Sequence, residues 1–390
     1  MRGIHFSPYR LANSTALAQA LVETRHETLA HINAWSQALP SLSVPQEPGL
    51  NPPLWEWGHV AWFQEWWTVR NQQRHQGIAS ASSGPTFGAS VLPQADALYN
   101  SSLVPHHTRW SLPLPDLQDT LGYLSTVLQQ SLEHLAKANP TDDNALYFWR
   151  LALFHEAMHN EASAYMAQAL GLALDRPTPH QSMVPSHSST ASVPASLKIE
   201  GQTFAQGQSS LGLGFAFDNE YAAHEVTVNS FEIDTRALSW GPYLDFLQDT
   251  QHPLPPFIRH ADGEWQTQYY GRWQSLDLNA FVSHVSAWDA QAWCQWAGRR
   301  LPTEAEWNCA AQHPEFEWGQ VWEWTASPFA PFAGFEPHPY EDYSAPWWHT
   351  HRVLKGASWA TPSCLIDSRF RNFFMSDRTD TVSGFRTVAQ

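Results

Sequence analysis

The chain has 390 residues, enough for two domains with separate hydrophobic cores. It carries 37 acidic and 21 basic side chains, a formal net charge of −16, and it has no basic run. This charge balance excludes a nucleic-acid-binding surface. The first fifteen residues lack an apolar segment and no stretch of about 18 apolar residues follows, so we expect a cytoplasmic protein without a membrane span.

Two helices are predicted in the first seventy residues. The first covers residues 16–35, and its apolar positions are Leu17, Leu21, Ile32 and Trp35. The second begins at Asn51-Pro52, an N-cap residue followed by proline in the first turn. Its inward stripe consists of Trp55, His59, Trp62, Trp66 and Val69. His59 is therefore predicted to point inward from a face lined by tryptophans.

A third and a fourth helix follow a long connection. Residues 74–113 show little periodicity and many Ser, Pro and His, so we predict a surface loop, and loops of that length are usually functional. Asp116 then caps a third helix with a leucine stripe, and the turn at 140–143 leads into a fourth helix at 147–170. Four amphipathic helices predict a bundle, in which metal sites are built from facing helices.

The fourth helix has the strongest functional signal. His155 and His159 lie four residues apart in its apolar stripe, which places their Cβ atoms roughly 5–6 Å from each other. Two such imidazoles can bind one metal ion if a third ligand comes from elsewhere, and His59 is the predicted third ligand. The alternative is a pair of hydrogen-bonded core histidines. Because burying polar rings without a purpose is costly, the pattern favours the metal.

The second half of the chain has a different character. Residues 173–197 are rich in Pro, Ser and His and lack periodicity, which indicates a linker. Beyond them, short aromatic strands such as 225–233 alternate with turns, and only 288–297 and 304–311 look helical. We therefore predict an α+β multidomain chain with a helical bundle at 1–172 and a second domain at 198–390.

The second domain resembles the formylglycine-generating-enzyme (sulfatase-modifying factor) variant of the C-type-lectin fold. The segments that carry the resemblance are VSHVSAWDAQAWCQWAGRRLPTEAEW (282–307), VWEWTAS (321–327), RVLKGASWA (352–360) and SGFRTV (383–388). Oxidases of this fold use a cysteine pair near the C-terminus. Here Cys364 alone lies in that region, and Thr361 stands about where the first cysteine would be, so we do not expect that activity.

A helical bundle with a three-histidine site, joined to such a domain, resembles the sulfoxide synthases of ergothioneine biosynthesis and the related selenoneine synthases. Their motif His-x-x-x-His-x-Glu is present as His155, His159 and Glu161, with His59 as the remaining ligand. The resemblance implies a DinB-like four-helix bundle and a mononuclear non-haem Fe(II) enzyme. Such enzymes use O₂ to join sulfur or selenium to C2 of the hercynine imidazole. Glu156 and Glu161 are then candidate partners for the N–H groups of the ligands.

The segment Arg371-Asn372-Phe373-Phe374 matches the family segment that contacts hercynine, where the usual pattern is Arg-Asn-Trp-Asp. Asn372 is expected to contact this substrate, and Phe373 replaces the tryptophan. Phe374 replaces an aspartate that in the sulfur enzymes helps to hold the amino group of the donor. Aromatic faces attract a quaternary ammonium group by roughly 0.5–2 kcal/mol. The alternative for both phenylalanines is ordinary core packing.

The predicted donor site departs further from the sulfur enzymes. In enzymes that use γ-glutamylcysteine, an arginine-rich segment follows a Tyr-Asn-Ser motif, whereas here residues 99–101 are followed by Arg109 alone. One arginine poorly matches a dianionic peptide, but a neutral selenosugar or thiosugar does not need more. This difference favours a selenoneine synthase, with Arg109 at the donor. A tyrosine used by the sulfur enzymes has no assigned counterpart, and the nearby positions are Phe332, Tyr340 and Tyr343.

Two other functions remain open. His155-Glu156-x-x-His159 also fits the zincin pattern, in which the glutamate is the general base for peptide hydrolysis. That function would leave His59 and the second domain unexplained. A lectin-like binding module on a helical stalk is the non-enzymatic alternative, and it predicts no metal in the bundle.

Overall fold

The computed structural model describes residues 1–84, 86–174, 195–209 and 214–390. The α-helices in these ranges are α1 (Ser14–Ala38), α2 (Pro53–Gln64), α3 (Ala95–Tyr99), α4 (Leu117–Leu135), α5 (Asp143–Ala169), α6 (Trp240–Thr250), α7 (Ala287–Trp296) and α8 (Glu304–Ala310). The strands are β1 (Ser196–Ile199), β2 (Gln202–Gln206), β3 (His224–Val228), β4 (Phe231–Asp234), β5 (Ile258–Ala261), β6 (Glu264–Tyr269), β7 (Arg272–Ser275), β8 (Arg299–Arg300), β9 (Trp322–Pro328), β10 (Arg352–Gly356), β11 (Asn372–Phe374), β12 (Ser383–Gly384) and β13 (Val388–Ala389).

The four predicted helices of the first half are present as α1, α2, α4 and α5. Helices α1 and α2 each contact both α4 and α5. Asn13, Asp116 and Asp142 begin α1, α4 and α5 by accepting hydrogen bonds from free backbone N–H groups of the first turn. Helix α2 continues as a π-helix over Glu65–Arg70. None of the described helices combines the length and apolarity needed to cross a bilayer.

The prediction of a surface connection over 74–113 is wrong for part of that segment. Leu98 and Tyr99 of α3, and Val104 after it, are buried against the core of the helical half. Tyr99 fits there because Gly58 of α2 has no side chain, and a Cβ atom at that position would lie 2.2 Å from the tyrosine ring. A five-residue helix is too short to show a helical period, so the sequence did not reveal this burial.

The second half forms small sheets, which are antiparallel except for the parallel pair β9 and β12. Two are four-stranded, with the orders β1-β4-β13-β8 and β11-β10-β9-β12, and the β2-β3 hairpin and the three-stranded β5-β6-β7 sheet complete the set among the described residues. The predicted strand 225–233 is in fact two strands, β3 and β4, which belong to different sheets. Residues 175–194 of the predicted linker lie outside the described ranges, and residues 196 and 197 already belong to β1.

The helices of the second half were predicted only in part. Helices α7 and α8 match the predicted segments to within one residue at each end. Helix α6 was missed, because Gly241 and Pro242 are loop signals although a proline is tolerated in the first helical turn. The inward residues of α6 include Tyr243 and Phe246, which are buried.

A buried ion-pair cluster joins the two halves. Arg10 precedes α1, and its guanidinium contacts Glu220 at 2.6 Å and Asp367 at 2.9 Å, both in the second half. All three side chains are at most 3 % exposed. Because charges this deeply buried are tolerated only when they are paired, the cluster fixes the position of the N-terminal segment on the second domain.

Arg10→Leu should destabilise the protein by about 3–5 kcal/mol, since it leaves the buried carboxylate of Glu220 without its cation and leaves Asp367 with Arg369 alone. Urea unfolding followed by tryptophan fluorescence measures this loss. The control is Arg2→Ala, which removes an ion pair with Glu317 whose arginine is 68 % exposed and should cost at most about 1 kcal/mol. Equal and small losses in both variants would show that the cluster does not hold the halves together.

Candidate metal centre

The three predicted ligand histidines converge in the structure. One ring nitrogen from each of His59, His155 and His159 lies within 4.8 Å of the other two. The Nε2 atoms of His155 and His159 are 3.2 Å apart. Two nitrogens that each lie about 2.1 Å from one ion, at a right angle, are about 3.0 Å apart. The spacing therefore fits a shared divalent metal, which the three imidazoles would bind on one face.

Contacts on the far side of each ring set its orientation. The Nδ1 atom of His59 donates a hydrogen bond to the backbone carbonyl of Tyr99 at 2.8 Å, and the Nδ1 atom of His159 donates to the carboxylate of Glu56. These bonds leave Nε2 as the ligand atom of both histidines. His155 is held by stacking, with its ring 3.5 Å from that of Phe63 and nearly parallel to it.

The electrostatics of the centre suit metal binding at neutral pH. Burial, together with the nearby His159, lowers the pKa of His59 to about 3, and burial lowers the pKa of His155 well below its usual value. Burial alone would raise the pKa of Glu56. The nearby His159, together with the hydrogen bonds that the Glu56 carboxylate accepts, lowers that pKa to about 2. Two ligands are therefore neutral and Glu56 is anionic, so these three groups need lose no proton for a cation to bind.

Glu156 does not have either of its predicted roles. Its carboxylate accepts hydrogen bonds from Arg25 at 2.6 Å and from Thr28 at 2.7 Å, both on α1. It therefore holds α5 to α1 and is not a partner of a ligand N–H group. The zincin interpretation is wrong for the same reason, since a general base must face the water on the metal. The partner that the sequence did not reveal is Glu56, one helical turn before His59.

Glu161 was also predicted to support a ligand, and it instead joins α5 to the second domain. Its Oε1 atom accepts three hydrogen bonds, from the Nε1 atom of Trp322 and the hydroxyls of Ser358 and Thr361, at 2.8, 2.8 and 2.6 Å. Thr361 stands about where cysteine oxidases of this fold have their first cysteine. Burial raises the pKa of the Cys364 thiol to about 12, so that thiol is protonated at neutral pH.

A loop of the second domain, between β9 and β10, lies against the histidines. The ring of Tyr340 is 4.8 Å from Phe63 and 6.3 Å from His155. Tyr343 is 5.7 Å from Tyr340 and 5.7 Å from Phe373, so a row of aromatic rings leads from the metal centre to β11. Of the three positions considered from the sequence, Tyr340 is thus the one next to a ligand.

Phe332, the third of those positions, lies elsewhere. Its ring is 4.0 Å from the guanidinium of Arg371 and 4.7 Å from the ring of His224. Arg371 in turn forms a buried ion pair with Glu304 at 2.7 Å. These contacts make Phe332 and Arg371 part of the packing of the second domain.

Strand β11 consists of three residues that were predicted to contact substrate, Asn372, Phe373 and Phe374, and its successive side chains point to opposite faces of the sheet. Phe373 stacks on Phe329 at 4.0 Å and belongs to the aromatic row, whereas Phe374 lies under the guanidinium of Arg378 at 4.4 Å. The Oδ1 atom of the half-buried Asn372 accepts a hydrogen bond from the backbone N–H of Phe373. That bond leaves the Nδ2 end of the amide as the one that could donate to a substrate.

Arg378 is a cation that the sequence did not reveal. Its guanidinium pairs with Asp380 at 2.7 Å and also lies 5.1 Å from the ring of Tyr165 on α5. It follows β11 in an irregular segment without periodicity, so no sequence pattern could place it beside Phe374.

Arg109 lies at the edge of the metal centre with two protein contacts. Its NH1 group donates to the Oδ1 atom of Asn51 at 2.8 Å, and its guanidinium lies 3.7 Å above the ring of Trp55. Asn51 in turn donates from Nδ2 to Glu56 at 2.6 Å. Neither contact was predicted from the sequence.

The family model described as the sulfatase-modifying factor enzyme 1-like domain matches residues 181–318 and 315–390, more than half of the chain. The hercynine oxygenase of Mycolicibacterium smegmatis is 27% identical over 87% of this chain and 91% of its own length. The hercynine oxygenase of Mycolicibacterium thermoresistibile is 25% identical over 95% of this chain and 94% of its own length. Ergothioneine biosynthesis protein 1 of Schizosaccharomyces pombe is 29% identical over 45% of this chain and 27% of that protein. Among solved structures, PvdO from Pseudomonas aeruginosa covers 50% of this chain and 94% of its own, with 18% identity and a TM-score of 0.34.

The fold and the site together define a class of two-part enzymes, in which histidines of a helical half lie against a loop of a mixed α/β domain. The chain belongs to the sulfatase-modifying factor enzyme 1-like family, and it is an oxidoreductase that is similar to the hercynine oxygenases over most of both chains. This similarity favours an enzyme over the alternative of a lectin-like binding module.

Replacing any one of the three histidines by alanine should weaken metal binding at least a hundredfold, because an incomplete set of neutral ligands remains. Anaerobic titration of the metal-free protein with Co(II), followed by its visible absorption, measures the affinity. His134→Ala is the control, since this histidine lies on α4 and contacts Arg74 rather than the centre. Unchanged affinity in one of the three variants would remove that histidine from the site.

Gly58→Ala should weaken Co(II) binding about tenfold, because the new methyl group would displace Tyr99, whose carbonyl holds His59. The matched control is Gly122→Ala on α4, where a Cβ atom would meet nothing within 4 Å. That control should keep its affinity and gain about 0.5–1 kcal/mol of stability. If both variants bind Co(II) like the parent, the packing of Tyr99 does not set the orientation of His59.

Proposed function

We propose that the protein is a mononuclear non-haem Fe(II) enzyme that uses O₂ to form a carbon–selenium bond at C2 of the hercynine imidazole, with a selenosugar as donor. The observation that carries this proposal is the cluster of three histidines, of which His59 and His155 are buried and neutral at pH 7. Similarity to hercynine oxygenases over most of both chains supports hercynine as the acceptor. We also assign the helical half to the DinB-like bundles, on the strength of its four packed helices.

Iron bound to the three histidines would supply electrons to O₂ and open coordination positions for the reactants. The chain would orient those reactants around it. We assign to Asn372 a hydrogen bond from its Nδ2 group to hercynine, and to Phe373 an aromatic face for the trimethylammonium group. Holding both reactants in place removes most of the entropic cost of their encounter, on the order of 7–11 kcal/mol in well-oriented cases.

Tyr340 is our candidate for the tyrosine that handles a proton. It lies next to His155, and burial raises the pKa of its hydroxyl above the ordinary value. The phenol is therefore protonated at neutral pH and can donate to a reacting group.

The residues near the donor position favour an uncharged donor. Phe374 has no carboxylate to receive an ammonium group. Arg109 donates to Asn51 and stacks on Trp55, and as a single cation it cannot neutralise both carboxylates of a dianionic donor. Leaving one donor carboxylate unpaired in a partly buried site costs about 1–3 kcal/mol, or roughly tenfold to a hundredfold in affinity.

A second candidate function is the formation of a carbon–sulfur bond from hercynine and γ-glutamylcysteine or cysteine. The observation in its favour is Arg378, whose guanidinium covers Phe374 and adds a cation to this region. Its pairing with Asp380 leaves the cluster without excess charge, and for that reason we rank this candidate second.

Competition between donors tests the proposal. Iron-loaded protein, hercynine and air are supplied with equal concentrations of a 1-selenosugar, the 1-thiosugar, γ-glutamylcysteine and cysteine, and products are quantified by mass spectrometry. We expect the selenosugar product to dominate by at least tenfold. Phe374→Asp should shift the ratio toward γ-glutamylcysteine, whereas Phe374→Leu, the uncharged control, should not. Ready turnover of γ-glutamylcysteine by the parent protein, with the selenosugar ignored, would establish the second candidate instead.

A further inference from the structure

Arg109 is connected to two of the three ligand histidines by separate routes. The first runs through stacked rings. The guanidinium lies 3.7 Å above Trp55, and Trp55 is stacked on His59 with ring centroids 4.8 Å apart and planes only 8° from parallel. His59 is thus held on one face by the ring of Trp55 and at its Nδ1 edge by the carbonyl of Tyr99. The planar cation of Arg109 covers the outer face of this stack.

The second route runs through hydrogen bonds. Arg109 donates to the Oδ1 atom of Asn51, the Nδ2 group of Asn51 donates to Oε1 of Glu56, and Oε2 of Glu56 accepts from Nδ1 of His159. Asn51 can bridge an arginine and a carboxylate because an amide has an acceptor end and a donor end. Because Arg109 occupies the Oδ1 end of the Asn51 amide, the Nδ2 end is turned toward Glu56, to which it donates.

We propose that Arg109 is a positioning residue of the metal centre, which fixes His59 through Trp55 and His159 through Asn51 and Glu56. Partners in the outer shell of a metal site orient the ligands, and their loss typically costs tenfold to a hundredfold in metal affinity. Arg109 lies in the 3₁₀ turn 106–111, far from both histidines in sequence, so it ties that turn to the geometry of the centre. It does so before any donor binds.

This inference rests on the proposed function only in requiring that a metal occupy the three-histidine site. Its test is the Co(II) affinity and visible spectrum of the metal-free protein, measured without substrate. Arg109→Gln should weaken Co(II) binding about tenfold and shift the d–d absorption bands, which report ligand geometry and which a general loss of stability would not move. Glu56→Gln should weaken binding by tenfold to a hundredfold. The matched control is Arg74→Gln, because Arg74 is also a half-buried arginine but contacts the carbonyl of Asn71 and the ring of His134.

A double-mutant cycle then tests the route itself. If Arg109 acts through Glu56, adding Arg109→Gln to Glu56→Gln should produce much less than the product of the two single effects. Asn51→Ala should reproduce only the part of the loss that passes through Glu56, because it leaves the stack on Trp55 in place, and it tests that route if the arginine variant fails to fold. Multiplicative effects would overturn the route through Glu56, and an unchanged Co(II) spectrum in both Arg109→Gln and Asn51→Ala would overturn the proposal as a whole.

The donor kinetics separate this inference from a direct donor contact. With metal at saturation, Arg109→Gln should leave KM for the donor within about twofold of the parent value. A tenfold rise in that KM with parental Co(II) affinity would make Arg109 a donor-binding residue and refute a positioning role. Failure of the parent protein to bind Co(II) would instead refute the metal centre and with it the proposed function.

Discussion

The structure depends on holding three imidazoles, two of them buried, close together between two helices. A polar partner on the side away from the shared point stabilises a ring, because an unpaired buried polar group costs on the order of 1–3 kcal/mol. Two of the three rings have such a partner. Glu56 and the carbonyl of Tyr99 provide two of these partners, and Phe63 provides a flat surface for the third ring. The approach of α3 to Gly58 and the packing of α2 on α5 follow from this requirement.

The second domain contributes side chains that lie beside the histidines and side chains that bind the helical half, and none of the three histidines comes from it. Arg10 and Glu161 fix the helical half to it, one through buried ion pairs and the other through three hydrogen bonds. With both anchors in place, the loop that carries Tyr340 lies against His155. A reaction centre between two domains is only as rigid as the interface that holds them together. Polar contacts buried in that interface are strong because little water competes with them.

Much of this organisation could be predicted from the sequence, because long helices and a three-residue ligand set leave periodic signals. His59, His155 and His159 were predicted as one group and lie together, and α1, α2, α4 and α5 were expected. Helix α3 was missed because it is too short to show a period, and α6 because Gly241 and Pro242 suggested a loop. Glu56, the partner of His159, was not among the two candidate glutamates, since the contact depends on how α2 faces α5. Arg378 was missed because irregular segments are positioned by tertiary contacts alone.

The hydrogen bond from Thr361 to Glu161 limits the evolutionary paths open to the second domain. A cysteine at position 361 would begin to rebuild the thiol pair of the oxidases of this fold, but a thiol is a weaker donor than a hydroxyl. The buried carboxylate of Glu161 would then lose one of its three supports in a joint that water does not reach. Position 361 therefore cannot take a cysteine without weakening the contact that holds α5 to the second domain.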